Sequence, residues 1–173
     1  MRQGLLDQFP ADAPLTVLAT GTDFYQRASE RRPGLTLLPL ASGALDPIGG
    51  NVIVDGLDRV ADPAAALREL RRASTAARVF ALVSNAAYSV TLLNFLAGDP
   101  FALEHPLVAA EIDELFAESG WSVMARSELI NRSIAHGPLP YAVSNRGVSV
   151  TVSTPEIAER LSTAGFVVIA DPK

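Results

Sequence analysis

The sequence has no cysteine. That excludes a disulfide framework, a thiolate zinc site and a cysteine nucleophile. Only two histidines are present, too few for an all-protein metal site built on imidazole, and no metal is expected. Basic residues are also short, 14 against 19 acidic ones, for a net charge of -5. Nothing in that balance offsets phosphate repulsion, so nonspecific binding to nucleic acid or to an anionic membrane is disfavoured. Lysine appears once, at Lys173, and the other basic residues are arginine. With abundant alanine, that usage points to a GC-rich bacterial genome and carries no chemistry. No GxSxG elbow and no Walker loop occurs. The opening residues include Arg2, Asp7 and Asp12 and contain no apolar h-region. No signal peptide is expected there, and the protein reads as cytoplasmic.

What is present is enough for one core. The chain has 173 residues, 49% of them hydrophobic, about the length of a single domain spanning 1–173. The stretch from Val79 to Gly98 carries no charge and has the length of a membrane span. It also contains Ser84, Asn85, Ser89, Thr91 and Asn94, and asparagines are costly in hydrocarbon. Its character changes at Ser84-Asn85, a turn signal. It reads as a buried strand, a turn and a short helix rather than a span.

Strands are expected at Leu15–Ala19, Leu35–Leu40, Asn51–Val54, Arg78–Val83, Trp121–Ala125, Val148–Val152 and Phe166–Ala170. Pro39 cannot donate to a ladder, which places Leu35–Leu40 at a sheet edge. Helices are expected over Phe24–Arg32, from Asp62-Pro63 to Ala73, over Leu92–Leu96 and over Leu107–Glu118, with a further one from Thr154-Pro155 that Gly165 stops. Pro138–Asn145 reads as loop. Arg31-Arg32 and Arg71-Arg72 read as solvated helix faces. Glu111–Arg126 and Glu156–Asp171 align weakly, as two generic helix–glycine–strand units. The alternation predicts an α/β domain: a Rossmann-like, mainly parallel sheet with helices on both faces. Ligands in such sheets bind beyond the carboxyl ends of the strands, near the switch in strand order.

From Asn51 onward the chain resembles the class I S-adenosylmethionine-dependent methyltransferases. Asn51–Leu67 (NVIVDGLDRVADPAAAL) looks like that family's fourth strand with its acidic turn and the following helix start. Arg68–Asn85 looks like the helix and fifth strand ending in a Ser-Asn turn. Ala102–Val123 resembles the late helix that ends in Gly-Trp before the sixth strand, and Phe166–Pro172 the closing strand. The first half departs from the pattern. Where the family has an acid and a glycine-rich turn, Val17–Arg27 (VLATGTDFYQR) has Ala19, with Gly21 as the only remaining glycine and Asp23 and Tyr25 in the other two slots. Side chains there block close backbone approach. Leu40-Ala41-Ser42 offers no carboxylate for a ribose. Only about ten residues join the second and third strands, too few for the usual helix–strand–helix.

The resemblance implies a shortened methyltransferase-like topology with S-adenosylmethionine as cofactor. The departures imply weak or lost binding. Cofactor contacts would fall at Gly21, Asp23, Asp55, Gly56, Leu57 and Asn85. Asp55, beside Asp58 at the expected switch point, and the lone histidines His105 and His136 are the candidate acids or bases. The competing readings are a non-catalytic partner subunit or ligand-binding pseudoenzyme, and a different enzyme in the vacated cleft. Expected partners are a small molecule or another protein. A second copy of the chain, as a homodimer, would cover the apolar edge at Leu35–Leu40 unless Val90–Leu96 or Val148–Gly165 covers it within the chain.

Overall fold

The computed structural model describes residues 2–40, 44–74, 78–98, 107–131 and 138–173. The expected sheet is there. Strands β1 (Leu15–Ala19), β2 (Leu35–Pro39), β3 (Asn51–Asp55), β4 (Val79–Ser84), β5 (Trp121–Ile130) and β8 (Thr163–Pro172) form one sheet in the order β2-β1-β3-β4-β8-β5. β1, β2, β3 and β4 pair in parallel, and β8 runs antiparallel between β4 and β5. The switch in strand order lies between β1 and β3, where the chain leaves one edge and returns to the middle.

Alternate residues of these strands feed two cores, as the period of two demands. Leu15, Val17, Ala19, Ile53 and Leu82 face α1 (Arg2–Leu6) and α2 (Asp23–Ser29). Leu18, Val52, Val54, Ala81 and Val83 face α3 (Pro63–Ala73) and α5 (Ala109–Glu118). Helices therefore cover both faces. Asp62 caps α3 as expected, accepting from the Ala65 N–H at 2.8 Å with Pro63 at the first helical position. Trp121 is fully buried on the α3–α5 face, and its indole N–H donates to the Leu67 carbonyl at 3.0 Å.

The short link between β2 and β3 has no helix in its described part, residues 44–50. It is fastened to α3 instead. Leu45 N–H donates to Glu69 and Ile48 N–H to the Ala73 carbonyl, both at 2.9 Å. β2 is an edge strand, as Pro39 requires. Leu35, Leu37 and Leu38 are half-buried by packing onto the two cores. The segments expected as covers lie elsewhere. α4 (Ser89–Leu96) packs on β6 (Tyr141–Asn145) and β7 (Val148–Val152), and residues 148–165 lead into β8, in the other half of the sheet.

Four expectations need correction. Pro138–Asn145 is not all loop: Tyr141–Asn145 is β6, paired antiparallel with β7 (Val148–Val152). Arg146 and Gly147, with φ of 48° and 81°, make the two-residue hairpin turn whose twist suits flanking strands. Gly165 does not stop α6 (Pro155–Ser162). It lies inside β8, opposite Ser84. Gly120, by contrast, has φ 85° just past α5, so the two aligned helix–glycine–strand units are not equivalent. Arg32 is no solvated cation: its guanidinium donates to the carbonyls of Leu6 and Phe9 and closes the end of α1.

Gly165 is required by space. A Cβ there would stand 2.5 Å from the Val83 carbonyl oxygen, whereas one on Gly21 would meet nothing within 4 Å. Gly165→Ala should therefore destabilise by about 1–3 kcal/mol, the usual range for overpacking. Gly21→Ala should stay within about 0.5 kcal/mol of the parent in urea unfolding.

Candidate functional site

The carboxyl ends of β1 and β3 are stitched together before any side chain is placed. Thr20 N–H donates to the Asp55 carbonyl at 3.1 Å. Gly56 then turns the chain with φ 96°, and a Cβ there would stand 2.0 Å from Thr20 Oγ1. Only glycine serves at that position. The 3-10 turn Leu57–Arg59 follows, burying Leu57 and Asp58. A cleft of about 460 Å³ opens over these ends, lined by Arg2, Thr20, Phe24, Asp55, Asp58 and Ser84 among others.

Asp55 ends a strand of four apolar or amide residues with a charge that is only 10% exposed at the side chain. Two neighbours compensate it. Arg2 Nε donates to Oδ2 at 2.5 Å, and the Tyr25 hydroxyl donates to the same oxygen at 2.8 Å. Arg2 Nη2 stands 3.4 Å from Oδ1. The hydrogen bond to Asp55 raises the already high pKa of Arg2. Burial, and then the negative charge of Asp55, push the Tyr25 phenol far above its ordinary 10.0. It is a hydrogen-bond donor here and not an anion. Burial likewise raises the Asp58 carboxyl, against the pull of its own backbone N–H, Ser84 and Arg59.

The candidate residues distribute as follows. Asp55 and Gly56 line the cleft. Gly21 and Asp23 follow Thr20 in the loop and first turn after β1, and both are exposed. Leu57 lies in the core on the α3 side, fully buried. Asn85 lines a neighbouring cavity of about 600 Å³ with Glu128, Glu156, Glu159 and Phe166. There its side chain joins β4 to the end of α6, donating to the Thr163 carbonyl at 2.8 Å and accepting from Ala87 N–H at 3.1 Å. His105 and His136 lie outside the described residues. Among the described residues, no group of three or more Asp, Glu or His is placed to hold a metal ion.

Sequence reasoning missed Arg2 and Gln3 at the cleft. They arrive on α1, five residues long, which no periodicity could announce. Its position comes from Leu5 and Leu6, buried against β1, and from the Arg32 clamp.

No protein-family model matches the chain, and no curated protein matches it. Solved structures do. A chain from the complex of the Haloferax volcanii Trm112 methyltransferase activator with its methyltransferase partner is 18% identical, with a TM-score of 0.59 over 99% of this chain and 88% of that one. An S-adenosylmethionine-dependent methyltransferase from Mesorhizobium loti is 14% identical, with a TM-score of 0.58 over 99% and 96%. The magnesium protoporphyrin IX methyltransferase of Synechocystis, solved with bound S-adenosylhomocysteine, is 12% identical, with a TM-score of 0.54 over 99% and 80%. The chain has the class I methyltransferase fold, in a shortened form.

Tyr25→Phe removes a donor to a nearly buried carboxylate. It should cost about 1.5–3 kcal/mol, the range for hydrogen bonds to charged groups. It should also change the alkaline limb. Above pH 10 the unfolded chain releases the Tyr25 proton while the folded chain retains it. The native state then binds more protons, and stability falls as pH rises. Urea midpoints from pH 8 to 11.5 should fall more steeply for the parent than for Tyr25→Phe. Parallel curves would contradict the assignment.

Proposed function

We propose that this chain is a methyltransferase-fold protein with a degenerate cofactor position, binding S-adenosylmethionine weakly or not at all, and that it works as a non-catalytic binding module. The observation that carries this reading is the Arg2–Asp55–Tyr25 network at the strand ends. Both Asp55 oxygens face Arg2, and the guanidinium and phenol leave that carboxylate no role as a free base. The residues around it agree. β1 ends in Ala19, 1% exposed and without a charge, where the resembled family has an acid. β2 ends in Pro39 and is followed by Leu40, and neither supplies a carboxylate for a ribose. Tyr25 fills the interior under the loop where that family has glycine.

The likeness to a protein solved with bound S-adenosylhomocysteine and the cleft of about 460 Å³ favour the second reading, an active methyltransferase with an altered site. The two differ in affinity. Each buried ligand group left without a partner costs about 1–3 kcal/mol. Two or three such losses move a micromolar binder to about millimolar or weaker. Isothermal titration with S-adenosylmethionine and S-adenosylhomocysteine should give no saturation below about 1 mM. One-to-one micromolar binding would overturn the binding-module reading in favour of the enzyme.

The reading includes a homodimer through β2. Among the described residues its outer edge has no strand partner in the sheet, and an uncovered edge invites pairing. Light scattering on a sizing column should give twice the monomer mass. A monomer at high micromolar concentration would refute the dimer and show that Pro39 suffices to protect the edge.

A further inference from the structure

The fold buries the Asp58 carboxylate without saturating it. Its side chain is 1% exposed, and Oδ2 has no hydrogen-bond donor. Among the described residues, the one cation within 4.0 Å belongs to its chain neighbour. Arg59 Nε stands 4.0 Å from Oδ2, on a side chain 60% exposed, too far for a hydrogen bond. Folded proteins leave few buried polar atoms unpaired, and a charged one is the costliest kind. The two other unpaired buried atoms among the described residues are the hydroxyls of Ser74 and Ser89, and neither residue lines the cleft. Asp58 does.

The surroundings narrow what could satisfy it. The other carboxylate of the cleft, Asp55, is already engaged by Arg2 and Tyr25. Asp58 Oδ2 is thus an unspent, buried acceptor on a residue of the cavity wall, which also presents Phe24, Leu82 and Val83. The wall also carries Arg2 and Arg59, but Arg2 is engaged by Asp55 and Arg59 Nε stands 4.0 Å from Asp58, so an anion would face a carboxylate with no hydrogen-bonded cation. A wholly apolar molecule would leave Oδ2 unpaired. Among the described residues, a bare metal ion would find no third Asp, Glu or His beside Asp55 and Asp58. An ammonium group on an apolar body answers each feature: its N–H groups donate to the carboxylate, its charge is matched, and its body packs on the apolar wall.

We propose that the cleft at the ends of β1, β3 and β4 binds a small arylalkyl primary amine, with Asp58 Oδ2 accepting from its ammonium group. This rests on the reading that S-adenosylmethionine does not take the cleft. The test titrates phenethylamine and its neutral analogue 2-phenylethanol into the full chain and into Asp58→Asn, with S-adenosylmethionine as a separate arm. Phenethylamine should saturate at one site, and the alcohol should bind about tenfold more weakly or worse. Asp58→Asn should lose about tenfold or more in amine affinity while its thermal midpoint holds or rises, because an unpaired buried charge has gone. Amide shifts in nuclear magnetic resonance spectra should move at Gly56–Arg59 and Ser84 as the amine is added. Absence of saturable amine binding would overturn the proposal, as would equal binding by Asp58→Asn or a lowered midpoint with binding retained; Asp58 would then be a structural group satisfied by water. If neither the amine nor S-adenosylmethionine binds, only this proposal fails. Tight S-adenosylmethionine binding would refute the functional reading beneath it.

Discussion

A charge at the end of a central strand cannot be left bare. Asp55 closes β3, which lies between β1 and β4, and its carboxylate is nearly out of water. An uncompensated charge there would cost several kcal/mol. Compensation comes from two different elements: Arg2 from α1 and Tyr25 from α2. One carboxylate therefore ties the N-terminal helix, the first crossover helix and the middle of the sheet together. The same contacts shape the cleft, because Arg2 and Asp55 are both in its wall. Local neutralisation and the form of the site are one problem with one solution.

The shortened topology stands for similarly local reasons. Little chain crosses from β2 to β3, but its described part is bonded to α3 by backbone and by Glu69. Glu69 is in turn gripped by Arg72, whose Nη2 also reaches the Leu45 carbonyl at 3.1 Å. Arg72 is exposed, so the ion pair adds little energy by itself. Its value is in holding coil where a helix is missing. What its described part does not replace is a strand beyond β2, so among the described residues the outer edge of that strand has no partner within the sheet.

Much of the fold was legible. Short apolar runs gave β1, β3 and β4 to within a residue, because buried parallel strands have no polar alternation to confuse them. Asp62-Pro63 marked the start of α3 through a cap that operates locally. β6 was illegible for the opposite reason: Tyr141–Asn145 is half wet, and a turn of Arg-Gly is a weaker signal than Asn-Gly. β5 runs on to Ile130, beyond the expected Ala125, because Arg126 and Glu128 stand on the exposed side of an edge strand and look like loop residues. Of the site, Asp55 and Gly56 could be read from a strand end followed by a turn. Arg2 could not, since its partner is 53 residues away. Nor could the division of labour between Asp55, which is saturated, and Asp58, which is not.

The account turns on the Arg2–Asp55 pair being a coupled interaction and not two side chains that happen to meet. A double-mutant cycle with Arg2→Ala, Asp55→Asn and the double variant, followed by urea unfolding at pH 7, measures that coupling alone. Arg2 is partly exposed, which discounts the full value of a buried pair, and the account predicts about 1 kcal/mol or more. A coupling below about 0.3 kcal/mol would put the pair among surface contacts that hold nothing, and would contradict the claim that this network occupies and organises the cleft.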